Sequence, residues 1–214
     1  MSRFPDPRYA RADVVAVGND LRVETLRDAY RHGIFPWPHE ELAVLPWFSP
    51  KRRSVILFDE LHVGRTLRKA MKHADLTYTI DRDFEAVIRA CSHVPRPGQD
   101  GTWISAEIID AYLRFHASGD AHSVEVWQEE TLVGGLYGID SGGVFTGESM
   151  FHRISDASKL ALLFLIDHLK ARGCKWIDCQ VMTPHMEALG AREIARSKFL
   201  DLLAAAQARG VNLF

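Results

Sequence analysis

Asp178 and Gln180, two apart in the apolar run Ile177-Asp178-Cys179-Gln180-Val181, are the side chains of this chain best placed to do chemistry. On a strand both point to one face, with Ile177, Cys179 and Val181 on the other. A carboxylate beside an amide can hold it with its carbonyl outward. Such a carbonyl is free to accept a hydrogen bond from a ligand. The same spacing also fits a satisfied buried polar pair. Glu148, in Gly147-Glu148-Ser149-Met150-Phe151, supplies a second carboxylate at the expected end of another strand. It reads equally as a site for a cationic group or as a charge partner of the helix that follows.

The elements that must position these residues are legible in the hydrophobic pattern. A β-meander is predicted over residues 122–127, 131–139 and 143–150, with turns at Glu129-Glu130 and Asp140-Ser141-Gly142. A helix over 157–172, apolar throughout Leu160 to Ile166, must be buried on most faces; Asp156 is placed to cap it and Gly173 to end it. The strand 176–181 follows, then a closing helix over 197–208. Upstream, strands 54–58 and 76–80 flank a helix whose apolar face is Val63, Leu67, Ala70, Met71 and Ala74. Its other face carries Arg65, Arg68, Lys69 and Lys72, with no acidic i,i+4 partner. That stripe suits an anionic partner such as a phosphate backbone, or a solvated surface, and Lys51-Arg52-Arg53 could extend it. Helices are expected over 83–91 and over 106–116, the second stopped by Gly119. At the N-terminus, residues 23–31 form a short helix with Leu26, Ala29 and Tyr30 inward. Pro36, Pro38, Pro46 and Pro50 then exclude regular helix and leave an ordered loop or short edges.

The expected architecture is α+β: a small N-terminal domain over residues 1–52, and over 53–214 a larger N-acetyltransferase-like domain with a mixed, mostly antiparallel sheet. A net charge of −2 argues against indiscriminate nucleic-acid binding, so the placement of charge matters more than its total. Cys91, Cys174 and Cys179 cannot all pair and fit no common zinc or redox spacing, and His32, His122 and His152 suggest no metal site. Without an export signal or an apolar run of about 18 residues, a cytoplasmic protein with no membrane partner is expected.

Gly33-Ile34-Phe35-Pro36-Trp37, Trp47-Phe48-Ser49-Pro50, Gly101-Thr102-Trp103-Ile104-Ser105 and His122-Ser123-Val124-Glu125-Val126-Trp127 stand in order ahead of the two motifs above. Together the six motifs resemble the bacterial leucyl/phenylalanyl-tRNA–protein transferases, over about residues 4–203. The resemblance implies an aminoacyltransferase that moves Leu or Phe from leucyl- or phenylalanyl-tRNA to an N-terminal Arg or Lys of an acceptor protein, tagging it for degradation. It implies catalysis by Asp178 and Gln180, acceptor binding at Glu148, and an amino-acid pocket of Leu136, Phe145, Leu162, Leu165 and Ile177, with Gly135 and Gly147 leaving space. It places the terminal adenosine near Tyr30, Trp37 and Trp103, where Pro38 replaces an expected aromatic residue. An aminoacyl ester is already activated, so no cofactor is expected, and a monomer suffices. Two rivals remain: a leucyl transferase acting on acidic N-termini, and an acyl-CoA N-acetyltransferase, although the turn His152-Arg153-Ile154-Ser155-Asp156-Ala157 lacks the glycines that a CoA pyrophosphate needs. A non-catalytic RNA- or N-terminus-binding module explains the basic stripe and Glu148 but not the Asp178/Gln180 pair.

Overall fold

A computed structural model describes residues 2–39, 42–73, 75–94 and 102–214, except the side chains of Lys72 and His73. Ala74 and Gly101 fall outside the described residues. A three-stranded antiparallel sheet, in the order β1-β3-β2, is built from β1 (Val14–Val17), β2 (Phe35–Pro36) and β3 (Pro46–Phe48), beside helix α1 (Val23–Arg31). The proline-rich span thus does form short edges. β1 carries no sequence signal strong enough to predict it.

The remaining strands make one seven-stranded sheet in the order β10-β4-β9-β8-β7-β6-β5. They are β4 (Arg52–Leu57), β5 (Thr77–Ile80), β6 (Ala121–Gln128), β7 (Thr131–Asp140), β8 (Phe145–His152), β9 (Trp176–Gln180) and β10 (Arg192–Ala195). Every pairing is antiparallel except β8 with β9, which is parallel and in register at Thr146↔Asp178. This is the mixed, mostly antiparallel sheet expected. β10 escapes sequence reasoning because its four residues carry two charges and stand two positions after Gly190.

The helices are α2 (Arg65–His73), α3 (Phe84–Ser92), α4 (Ala106–Ala117), α5 (Ala157–Ala171), the short α6 (Pro184–Ala188) and α7 (Arg196–Ala208). α5 crosses from β8 to β9 and packs Leu162, Leu165 and Ile166 against Val124, Val126, Leu136 and Ile177 of the sheet. The opposite face, with Trp127, Tyr137 and Ile139, is covered by α1, α3 and α4 in a core that also takes in Phe35 and Trp47 of the small sheet. Hydrophobic packing therefore runs unbroken across residue 52. α7 closes the remaining stretch, with Phe199, Leu200 and Leu203 on Val55 and Trp176.

Two local expectations are corrected. Asp156 does sit at the N-cap of α5, but with φ +63° and no capping bond; its carboxylate instead holds Lys159 Nζ at 2.6 Å. Met71, expected on the inner face of α2, is exposed, because that helix is covered on one side only and buries Leu67.

Gly33 ends α1 at φ +71°, and a Cβ there would lie 2.6 Å from Phe199 Cε1 and 2.9 Å from Leu200 Cδ2. Both the backbone region and the contact demand glycine. Gly33→Ala is expected to cost about 1–3 kcal/mol and to lower the melting temperature by several degrees; unchanged melting would show that α7 yields freely at this point.

Candidate active site

Asp178 lies on β9, one strand from Arg53 on β4, and both are 1% exposed. Arg53 Nε and one terminal nitrogen donate to the two carboxylate oxygens at 2.8 and 2.6 Å. Its other terminal nitrogen reaches the Gly33 carbonyl at 3.3 Å, and the guanidinium is sandwiched between the Phe35 and Phe199 rings at 4.7 and 4.5 Å. Asp178 also accepts from the Thr146 hydroxyl at 3.2 Å and from the Gln180 backbone N–H at 2.9 Å. With four donors on two oxygens, its lone pairs are taken, so this carboxylate orients its neighbours.

The expected pairing of the Asp178 and Gln180 side chains is therefore corrected. Gln180 leaves the strand at φ +61°, a left-handed conformation unusual for a side-chain-bearing residue, and its backbone rather than its amide meets Asp178. Its Nε2 donates instead to Glu148 Oε1 at 2.6 Å. Anchoring the nitrogen leaves the amide carbonyl to accept from a ligand.

Glu148 lies within β8, not at its end, and its hydrogen bonds run to Tyr30, Tyr112 and Gln180, which argues against the helix-charge reading. Tyr30 donates its hydroxyl to Oε1 at 2.7 Å, while the Tyr112 hydroxyl stands 2.5 Å from that of Tyr30 and 3.4 Å from Oε2. Burial pushes the Glu148 carboxyl up to about 7, against the opposing pull of the Tyr30 and Gln180 hydrogen bonds. Burial, with the Glu148 charge second, raises both tyrosines well above their ordinary value, so they remain neutral donors.

Beyond Thr146↔Asp178, β8 and β9 open onto a cavity of about 580 Å³ lined by residues of both strands. Leu136, Phe145, Leu162 and Ile177 line it, as do Glu148, Asp178 and Gln180. So do Cys179 and Val181, because strand alternation breaks down where the register with β4 shifts at the end of β9. Leu165 does not; it is fully buried against the sheet. Gly147 leaves open space, its nearest would-be neighbour being the Asp178 carbonyl at 3.7 Å, whereas a Cβ on Gly135 would stand 2.7 Å from the Val124 carbonyl. Gly135 thus permits close strand packing and does not enlarge the cavity. Trp37 and Trp103 line the wall with Phe35. Tyr30 is 2% exposed and turned onto Glu148, so it presents no ring face to a base.

A model of the leucyl/phenylalanyl-tRNA protein transferases matches residues 55–204, and one of the N-terminal domain of the same proteins matches residues 19–51. The chain belongs to this family. Leucyl/phenylalanyl-tRNA–protein transferases from Shewanella halifaxensis and Chromohalobacter salexigens are 51% and 54% identical to it, each over 94% of this chain and over 85% and 78% of their own lengths. The transferase from Flavobacterium johnsoniae is 48% identical over 92% of this chain and 94% of its own. A solved structure of L-PGS from Bacillus licheniformis aligns with a TM-score of 0.42 and 12% identity, over 75% of this chain and 51% of that one.

In this transferase Arg65, Arg68 and Lys69 are exposed on α2, Arg68 also donating to the Val63 carbonyl at 2.9 Å. Lys72 belongs to the same helix, its side chain outside the described residues. Arg53 cannot extend the stripe, being buried on Asp178; a period of two from buried Val55 would have put it on the inner face. Tyr112 carries no sequence signal beyond an inward position on α4. The Cys179 thiol, on the cavity wall, is pushed up chiefly by burial and then by the Asp178 charge. The described residues hold no cluster of metal ligands; His122 serves Asp81, at 2.7 Å.

Removing one partner of a buried ion pair strands the other. Arg53→Met should destabilise by about 3–5 kcal/mol in urea unfolding, and the double variant Arg53→Met/Asp178→Leu should recover much of that loss while remaining inactive. Additive losses would show that the two residues are not coupled.

Proposed function

We propose that the enzyme transfers leucine or phenylalanine from its tRNA to an N-terminal Arg or Lys of an acceptor protein, as a cytoplasmic monomer, and so tags the acceptor for degradation. The observation that carries this reading is the Glu148–Gln180 pair in an apolar cavity whose other carboxylate, Asp178, is already neutralised. Leu136, Phe145, Leu162 and Ile177 receive the aminoacyl side chain. Trp37 and Trp103 offer ring faces for the terminal adenine, with stacking worth ~1–3 kcal/mol per base.

The acceptor amine adds to the ester carbonyl carbon, the bond to the ribose oxygen breaks, and the proton lost by nitrogen ends on that oxygen. An N-terminal ammonium has a pKa near 8, and the Glu148 carboxyl stands at about 7, so proton transfer between them is close to balanced. Glu148 Oε2 takes the proton, and the Gln180 carbonyl holds the amine on line while charge grows on its nitrogen. Asp178 and Arg53 act through the backbone of β9 as positioning residues. The ester supplies the driving force, so the reaction calls for no cofactor.

Among the described residues, the one cavity-lining carboxylate without a cationic partner is Glu148, which favours a cationic acceptor over an acidic one. The turn before α5 lacks glycine and holds an acidic residue, which disfavours CoA. Labelled leucine should pass from leucyl-tRNA to peptides beginning with Arg or Lys; transfer only to Asp- or Glu-leading peptides would overturn the acceptor assignment.

A carboxyl at about 7 in the fold, against an ordinary value of 4.5, binds its proton more tightly folded than unfolded. Its contribution to stability is complete at pH values below the ordinary one and is lost as pH rises through about 7. Glu148→Gln should therefore melt higher than the parent well above pH 7, the gap closing in acid, while transfer falls by ~10²–10⁴-fold. The parent's kcat/KM should decline as pH drops below 7. A Glu148→Gln enzyme with ordinary turnover removes the proton-acceptor role.

The exposed cations of α2 are read as phosphate contacts. Glutamate at Arg65, Arg68, Lys69 and Lys72 should weaken aminoacyl-tRNA binding and flatten the dependence of log affinity on log salt by ~0.7–0.9 for each phosphate no longer neutralised. Use of aminoacyl-adenosine should not change, and an unaltered salt slope would make the stripe a solvated face.

A further inference from the structure

One part of the cavity wall has no role in the chemistry above. His152 ends β8, four residues and about 13 Å of extended strand from Glu148. His152, Ser158 at the start of α5, Thr183 and His185 all line the cavity, so donor-bearing side chains from three elements meet there. Lys159 and Asp156 lie within electrostatic reach of His185 and are paired with each other. His185 Nε2 is shut off from solvent and has no hydrogen-bond partner. Burial chiefly, then the Lys159 and His152 charges, lower the His185 pKa, so the ring is neutral and offers a single N–H. A buried ring nitrogen without a hydrogen-bond partner is costly unless a ligand completes it.

The same region adjoins the basic helix. α6, which carries His185, runs into Leu189, whose carbonyl accepts the His62 N–H at 3.0 Å, three residues before α2 begins. α2 also packs against α5. A strand of nucleic acid tracked by Arg65, Arg68 and Lys69 is thereby led to the donor-rich wall.

We propose that His185, together with His152, Ser158 and Thr183, binds a phosphodiester of the tRNA 3′ end where it enters the cavity. This rests on the reading of the substrate as aminoacyl-tRNA. The phosphate supplies the acceptor that His185 lacks, and its position along β8 holds the ester back toward Glu148.

The test compares two donor substrates, leucyl-adenosine and the leucyl ester of the dinucleotide pCpA, in His185→Leu and His185→Gln enzymes. In the parent, pCpA should raise kcat/KM by about tenfold to a hundredfold, the scale of one charge-assisted hydrogen bond, and added salt should shrink that gain. His185→Leu should lose the gain yet use leucyl-adenosine normally, and His185→Gln, which keeps an N–H at similar reach, should restore it. A parent that does not distinguish the two donors, a gain that survives His185→Leu, or an equal loss on both donors would each overturn the proposal. So would an effect confined to the acceptor KM, which would give this wall to the acceptor chain. Leucyl-adenosine turnover also isolates the Glu148 chemistry, so failure of that reading is seen separately.

Discussion

The buried ion pair between Arg53 and Asp178 is the interaction on which the rest of the site depends. A carboxylate withdrawn this far from water must be matched by a cation and by hydrogen bonds to its remaining lone pairs. The fold meets that demand with Arg53, Thr146 and the Gln180 backbone. Arg53 in turn requires Gly33, Phe35 and Phe199 in place around it. The pair thus joins the small sheet, the large sheet and α7 at one point, next to the strand end where Gln180 turns out of register. Such a pair contributes little net stability but penalises every arrangement that separates its members.

Because Asp178 is satisfied, the two carboxylates of the cavity have different chemistry. One is held by the Arg53 guanidinium, and the other sits among neutral donors, Tyr30, Tyr112 and Gln180, in a place that resists charge. Burying a carboxyl among neutral donors is a recurring way to place a proton acceptor near neutrality. The tyrosines matter here for what they withhold: they hydrogen-bond the carboxylate without bringing a positive charge that would draw its pKa back down.

Much of the architecture is legible in the chain itself. The meander, the buried α5 and the strand after it follow from periodicity and turn residues, since long apolar elements are the ones least open to tertiary override. Asp178, Gln180 and Glu148 stand out because polar side chains in apolar strands need a reason. Their partners do not. Alternation assigns Asp178 to Gln180, but the twist at Gln180 gives the amide to Glu148, and Arg53, 125 residues away, takes the carboxylate. Tyr30 is turned onto Glu148, a contact that its position on α1 does not announce. The resemblance points to a pocket role for Leu165, and Gly135 is consistent with open space there; only the burial of Leu165 against the sheet and the closeness of Gly135 to the Val124 carbonyl decide otherwise. What sequence pattern lacks is the identity of long-range polar partners.

The contact of Gly33 with Phe199 has a consequence for the life of the chain before it is complete. Helix α1 and the loop after it emerge early in synthesis, yet the ring that packs against Gly33 and under Arg53 is made more than 160 residues later. Contacts of such separation close slowly, because a long loop must be ordered before they stabilise anything. Until α7 is made and packed, the Arg53 guanidinium lacks one of the two rings that cover it, so the surroundings of Asp178 are among the last parts of the fold to be completed.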